Sequence, residues 1–465
     1  MASCAARKPG GSGSVESKAI TFQAEGDANL SPERKRWSDL HIGTETREML
    51  EEDERYFYRQ SLSTPCLNAL QGSSGSHITD VQGRRILDFH GNSVHQVGYG
   101  HPKVVAAVKQ AIDELPFSPR RYTNRFAIGL ARRLSELAPM ADAKVLFAPS
   151  GAAAISMALK LARYATGRHK TLSMWDAFHG ANLDSIAVGG EALFRANAGP
   201  MMPGSEHVPP PGLAARFFGT DGRAHERLAD YIDYVLEVQG DVAAVLAEPM
   251  RWTTVEPAPA DFWRRVKESC SRHGALLIFD EIPSCLARTG TMFMCEQTGA
   301  TPDILVIGKG LGGGIMPMAA MIGRGDLDVA ANAALGHYTH EKSSVGCAAA
   351  LATLDVIEEE GLIERSRRLG DAGLDYLRKS LESHRAVREI RGTGMYFGIE
   401  IAAIDNVPAA TRADQILYAC LTRNLSFKTG GGNVLTLCPA LTIEEDDLFH
   451  ALDIVIDAIA GLSAK

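Results

Sequence analysis

The sequence predicts an α/β protein: a large domain with a mainly parallel central sheet between layers of helices, followed by a smaller α+β domain. Three observations predict it. Through the middle of the chain, short apolar runs alternate with stretches of helical spacing, as crossover helices between parallel strands require. Several runs end in polar residues, among them Glu248, Asp280 and Lys309, and open sheets of this kind bind ligands beyond the carboxyl ends of their strands. From about Gly346 the pattern changes to long helical stretches interrupted by a strand-like YFGIEI. At 465 residues the chain is also too long for one ordinary core.

The elements follow in order. Residues 1–30 are rich in Gly, Ser, Ala and charge, bury too little apolar surface to offset the entropy of ordering, and read as a tail. Ser31-Pro32 is a helix start, a cap residue followed by proline at the first helical position. The charged segment from there to Arg59 is expected to lie on a surface and wrap another part of the protein. HITDVQGRRILDFHG reads as two strands joined at Gly83, and Val104, Val105, Val108 and Ile112 give Pro102 to Leu115 a helical face. KVLFA precedes the helical GAAAISMALKLARYA, and KTLSMW precedes another turn. VAAVLAEP, ALLIFDEI and DILVIGKG read as buried strands. No internal repeat is found.

Composition excludes several classes. A hydrophobic share of 45% and a charged share of 22% are those of a globular protein. The net charge of −8, without a long basic run, does not fit nucleic-acid binding. The eight cysteines stand singly, which suits reduced thiols in a cytoplasm better than a disulfide framework. With no signal-like stretch and no eighteen-residue apolar run, neither secretion nor a membrane span is expected.

The chemistry begins with Asp280 and Lys309, which end consecutive apolar runs and so converge on one site. Pyridoxal 5′-phosphate (PLP) needs a lysine to bind its aldehyde and a carboxylate to keep its pyridine nitrogen protonated. Either residue alone is more often a cap or a solvated loop residue; the pairing makes the case. Ser150-Gly151-Ala152 lies between a strand and an Ala-rich helix, where free amides and the helix dipole favour a phosphate, although a plain strand-to-helix turn fits equally. Phe178-His179-Gly180 follows a strand and offers a flat ring to a cofactor, or simply to packing.

With these pieces in place, the chain resembles the class III aminotransferases, fold-type I PLP enzymes, from roughly Asp80 onward. The resemblance is carried by LDF at 87–89, GYGHP at 98–102, the Ser-Gly turn, the Phe-His-Gly position, Glu248-Pro249, DEI…ARTG, PDILVIGKGLGGG, CAAALA at 347–352 and RGTGMYFGIE. It implies Lys309 as the Schiff-base lysine, Asp280 as partner of the pyridine nitrogen, Gly151 and Ala152 as backbone ligands of the phosphate beside Ser150, and Phe178 stacked on the ring. His179 and Glu248 complete the implied cofactor site. Thr339 is implied to reach the phosphate of a neighbouring subunit, hence a homodimer with shared active sites. The implied organisation is an N-terminal segment at 31–95 packing with the small domain and the dimer partner, a large PLP-binding domain at 96–340, and a small domain at 341–465.

Departures from the family pattern are equally informative. Phe178 replaces the usual tyrosine, Pro283 the glutamine that bonds the cofactor's ring oxygen, and Ala152-Ala153 the polar pair after Ser-Gly. Thr436 stands where many members carry an arginine that grips the keto-acid acceptor's carboxylate, a two-pronged contact that a hydroxyl cannot replace. QSLSTPCLN, FHGNSVHQVGYGHP, LPFSPRRYTNR, SMWDAFHGA, EHVPPP and GHYTHEKS resemble one subgroup, the ammonia-lyases acting on (R)-1-hydroxy-2-aminoethylphosphonate.

The resemblance therefore implies a small primary amine as substrate, an aminophosphonate in the first instance, eliminated to phosphonoacetaldehyde and ammonia. Arg120, Arg121 and Tyr122, with Asn124, are candidates for the anionic group, though a solvated loop is an equal reading. An ω-aminotransferase is the alternative. A nicotinamide dehydrogenase is a distant one, resting on Gly308-x-Gly310-x-x-Gly313. His337, His340, His90 and His95 have no carboxylate or cysteine set to complete a metal site.

Overall fold

The computed structural model describes residues 31–61 and 63–461, so the expected tail at 1–30 lies outside the described residues. Two helices open it, Pro32–His41 and Thr44–Tyr56. Ser31 caps the first by accepting the Arg34 N–H, with Pro32 in the opening turn, the arrangement that a cap-plus-proline pair sets up. Three short antiparallel strands follow: β1 (Leu70–Ser74), β2 (His77–Asp80) and β3 (Arg85–Asp88). β3 also pairs in parallel with Leu425–Ser426, tying the start of the chain to its last third.

Seven strands form the central sheet: β4 (Lys144–Ala148), β5 (Lys170–Met174), β6 (Ser205–Val208), β7 (Val242–Ala247), β8 (Leu276–Asp280), β9 (Ile304–Ile307) and β10 (Ala319–Gly323). Their spatial order is β4-β10-β9-β8-β7-β5-β6, and only β10 runs against its neighbours. The strands read as continuous apolar runs because both faces are covered. Along β8, Leu277 and Phe279 join a cluster with Trp263 and Ile232, whereas Leu276 and Ile278 join another with Ala154 and Ala158 of the helix Gly151–Thr166. That two-residue alternation makes a three-layer α/β/α body.

The C-terminal region begins with helices Ser344–Glu359 and Leu362–Leu381. The long helical stretch expected there breaks at Gly361, whose φ of 60° a helix cannot continue. A four-stranded antiparallel sheet follows, β11 (Val387–Gly392), β12 (Phe397–Ile401), β13 (Lys428–Gly430) and β14 (Val434–Leu437), in the order β11-β12-β14-β13. Helices Ala409–Thr422 and Glu445–Gly461 complete an α+β unit. Among the described residues, no helix is long and apolar enough to cross a membrane.

Candidate active site

β8 and β9 are parallel, with Asp280 in register with Val306, so both chains leave the sheet at the same edge. Asp280 is the last residue of β8, and Lys309 follows β9 by two residues in the tight turn Lys309–Gly312. Lys309 holds a left-handed φ of 47°. The next residue must be glycine: a Cβ on Gly310 would stand 1.9 Å from the side chain of the buried Gln96.

Asp280 is buried, and its carboxylate is oriented from two sides. His179 Nδ1 lies 2.8 Å from Oδ2, and the Ile282 N–H donates to Oδ1 at 3.1 Å. The bond to the carboxylate makes Nδ1 the protonated nitrogen; Nε2 is buried without a hydrogen-bond partner among the described residues. At the end of β7, Glu248 accepts the Trp252 N–H at 2.8 Å, and burial pushes its carboxyl upward. Burial also holds Lys309 below the usual lysine range, against the opposing pull of Asp280 and Glu248. A lysine so placed is a better nucleophile than a solvated one.

These residues line one cavity of about 220 Å³, together with Gly151, Ala152, Phe178 and Trp252. Gly151 opens the helix Gly151–Thr166, and a Cβ there would meet the Ile282 side chain at 2.5 Å. Ser150 is the N-cap: its hydroxyl accepts the Ala153 N–H and its carbonyl the Ala154 N–H. The first two amides of the helix, those of Gly151 and Ala152, have no acceptor among the described residues, as is usual at a helix start, where such N–H groups are available to an anion. The Phe178 ring leans on Phe194 at 4.6 Å. Lysine nitrogen, buried carboxylate, unengaged amides at a helix start and an aromatic face are the donor set that PLP needs, so the residues fit the cofactor expected from the sequence. A larger cavity of about 500 Å³, beside the helix Arg125–Leu137, contains none of this set.

The structure thus brings Lys309, Asp280, Gly151, Ala152, Phe178, His179 and Glu248 together around one cavity, with Ser150 adjoining as the cap. It does not bring the others there. Thr339 is exposed, Arg120 is half-buried, and Arg121 and Tyr122 are exposed; none lines the cavity of its own chain. Asn124 caps the helix Arg125–Leu137 by accepting the Ala127 N–H at 2.9 Å and donates to the Lys342 carbonyl at 3.0 Å, so it has a structural role at that place. The dinucleotide reading of Gly308-x-Gly310-x-x-Gly313 fails, because the turn leads into the antiparallel strand β10 and not into a helix that could receive a pyrophosphate.

Sequence reasoning missed Trp252, Thr253 and Tyr396. Trp252 and Thr253 line the cavity, and the Trp252 ring is stacked on Tyr396 at 3.7 Å. Neither aromatic stands in a motif with a chemical signature. Their contact joins positions 144 residues apart, which no local pattern reports.

Comparison with known proteins places this geometry. The family model for class-III aminotransferases matches residues 58–459. The chain is 42% identical, over 95% of its length and 96% of the relative's, to an (R)-1-hydroxy-2-aminoethylphosphonate ammonia-lyase of Vibrio splendidus. It is 33% identical to an acetylornithine aminotransferase of Methanopyrus kandleri, over 83% of this chain and 92% of that protein. Among solved structures, a PLP-bound amine transaminase from an uncultivated Pseudomonas species superposes with a TM-score of 0.81 at 28% identity, covering 87% of this chain and 98% of that one.

Proposed function

The chain belongs to the class III aminotransferase family and is PLP-dependent, and from that premise we propose that it is an ammonia-lyase acting on a small hydroxylated aminophosphonate. The substrate we infer is (R)-1-hydroxy-2-aminoethylphosphonate, converted to phosphonoacetaldehyde and ammonia. The observation that carries elimination over amino transfer is position 436. Thr436 is fully buried, and its hydroxyl donates to the Lys428 carbonyl across the β13–β14 pair at 2.9 Å. It cannot grip an acceptor's carboxylate, and the likeness to a lyase over nearly the whole chain agrees.

When bound, PLP supplies an electron-withdrawing ring conjugated with the carbon that bears the substrate's amine. Lys309 would hold the cofactor through its Nζ, at the position the substrate's amine has to occupy. The Lys309 amine, whose proton affinity burial lowers, would take the proton from the substrate carbon that bears the amino group. Asp280 would hold positive charge at the pyridine nitrogen, and the bond from His179 fixes which oxygen it presents. Gly151 and Ala152 would hold the phosphate through their amides, and Phe178 would offer its ring to the cofactor. Overall, water leaves the substrate, is taken up again, and ammonia departs; no keto acid is consumed.

Thr339, Arg120, Arg121 and Tyr122 stand outside their own cavity, and we assign them to the site of a second copy in a symmetric homodimer. We likewise assign residues 96–340 to the PLP-binding domain and the described residues from 341 onward to the small one. The seven cysteines described in the structure are all free, in keeping with a reducing, cytoplasmic setting.

The test is product analysis with purified holoenzyme. Ammonia and phosphonoacetaldehyde should appear from the hydroxylated aminophosphonate with no keto acid present. Silence without a keto acid, with amino exchange once 2-oxoglutarate is added, makes the protein an ω-aminotransferase instead.

A further inference from the structure

We propose that the Trp252–Tyr396 stack is the specificity wall of this site, closing it against the C-terminal sheet so that only short-chain amines fit. The wall faces the place where substrate must go. The Lys309 Nζ lies 5.5 Å from the centre of the Trp252 ring, and the substrate's nitrogen has to take the position that this nitrogen gives up. The substituents on the amine-bearing carbon therefore pass close to the indole.

The wall is also fixed in place. The two rings lie 3.7 Å apart and 10° from parallel, and both side chains are buried. The backbone N–H of Trp252 donates to the Glu248 carboxylate at the end of β7, and its backbone carbonyl accepts the Tyr396 hydroxyl next to β12. One residue is thereby clamped from the central sheet on one side and from the C-terminal sheet on the other. A side chain with both backbone groups and its ring face engaged cannot swing aside for a longer ligand without breaking those contacts. Asp280, Phe178 and the Gly151 helix start are taken by the cofactor. Of the remaining lining, Gly180, Trp252, Thr253, Ile282 and Pro283, Trp252 is the largest side chain, so its ring is the boundary that decides chain length.

This inference rests on the site binding a primary amine, and not on whether the amine is then eliminated or transferred. The experiment is an absorbance titration of PLP-loaded enzyme with ω-aminoalkylphosphonates of two, three, four and five carbons, read from the initial spectral change on mixing, before any amino transfer to the cofactor. In the parent protein, affinity should fall roughly tenfold or more with each methylene beyond what the wall admits. Trp252→Ala should abolish most of that discrimination, and Trp252→Leu, which keeps an apolar side chain in place, should weaken it, whereas Trp252→Phe should retain it. Equal length discrimination in the parent and in a PLP-loaded Trp252→Leu or Trp252→Ala variant overturns the inference alone. A spectrum indifferent to every amine overturns both the inference and the reading beneath it.

Discussion

Two regions of this protein bury cations, the cavity at the ends of β7, β8 and β9 and the α+β unit that packs over it, and they treat them in opposite ways. In the cavity, Lys309 lies near Asp280 and Glu248, both of which favour its charge while burial opposes it. It also opens onto free volume. Around the C-terminal sheet, Arg288 is fully enclosed, and its Nη1 donates to the carbonyls of Met395 and Pro439. Lys428, buried on β13, has its ammonium pushed down to about 7 by desolvation. A cation beside carboxylates and a cavity is equipped for chemistry. A guanidinium locked onto carbonyls 107 and 151 residues away is a clamp between segments.

The comparison breaks most visibly if Asp280 proves dispensable. Asp280→Asn keeps the shape and removes the charge, and turnover should fall roughly 10²–10³-fold, as for loss of a preorganised electrostatic partner. Steady-state kinetics on PLP-saturated enzyme checks this, and an activity near that of the parent would place the carboxylate outside the chemistry.

On the other side of the comparison, Lys428→Met removes the desolvation that pushes this lysine down to about 7, so its effect on stability should depend on pH. The sign follows from linkage. A folded-state value near 7, below the unfolded lysine's, means that the unfolded chain binds more protons between about 7 and the ordinary lysine range. The cost of the native lysine is therefore complete below about pH 7 and fades as pH rises toward that range. Denaturant unfolding of both proteins at pH 6.5 and at pH 9 should show the larger gain at the lower pH, and a gain independent of pH would contradict the burial cost.

The smallest effect sharpens the boundary between holding the cofactor and holding the helix. Ser150→Ala removes the cap on Ala153 and should cost about 1 kcal/mol of stability while leaving PLP bound. Loss of the cofactor at unchanged stability would make Ser150 a direct phosphate ligand.

The same contrast explains how much was legible in the sequence. Lys309, Asp280 and the Gly151 turn could be found because each ends an apolar run and carries a side chain or backbone freedom with a specific chemical use. The three-layer body followed from runs such as VAAVLA and LLIFD, which are apolar throughout because helices cover both faces. The polarity of Asn124 serves a helix cap, a use the sequence around it does not distinguish from a substrate contact. Trp252 and Tyr396 escaped because an aromatic residue is ordinary core material until its partner is known. Arg288 stood in the ARTG motif, but its carbonyl partners exist only after the α+β unit has docked.

Borohydride reduction of the holoenzyme, followed by peptide mass mapping, tests the central assignment most directly. One pyridoxyl group per chain, on Lys309 alone, is the expected result, with loss of the cofactor's absorbance in step with labelling. A label on Lys428, Lys342 or any other lysine, or a Lys309→Ala protein that keeps full turnover, contradicts it.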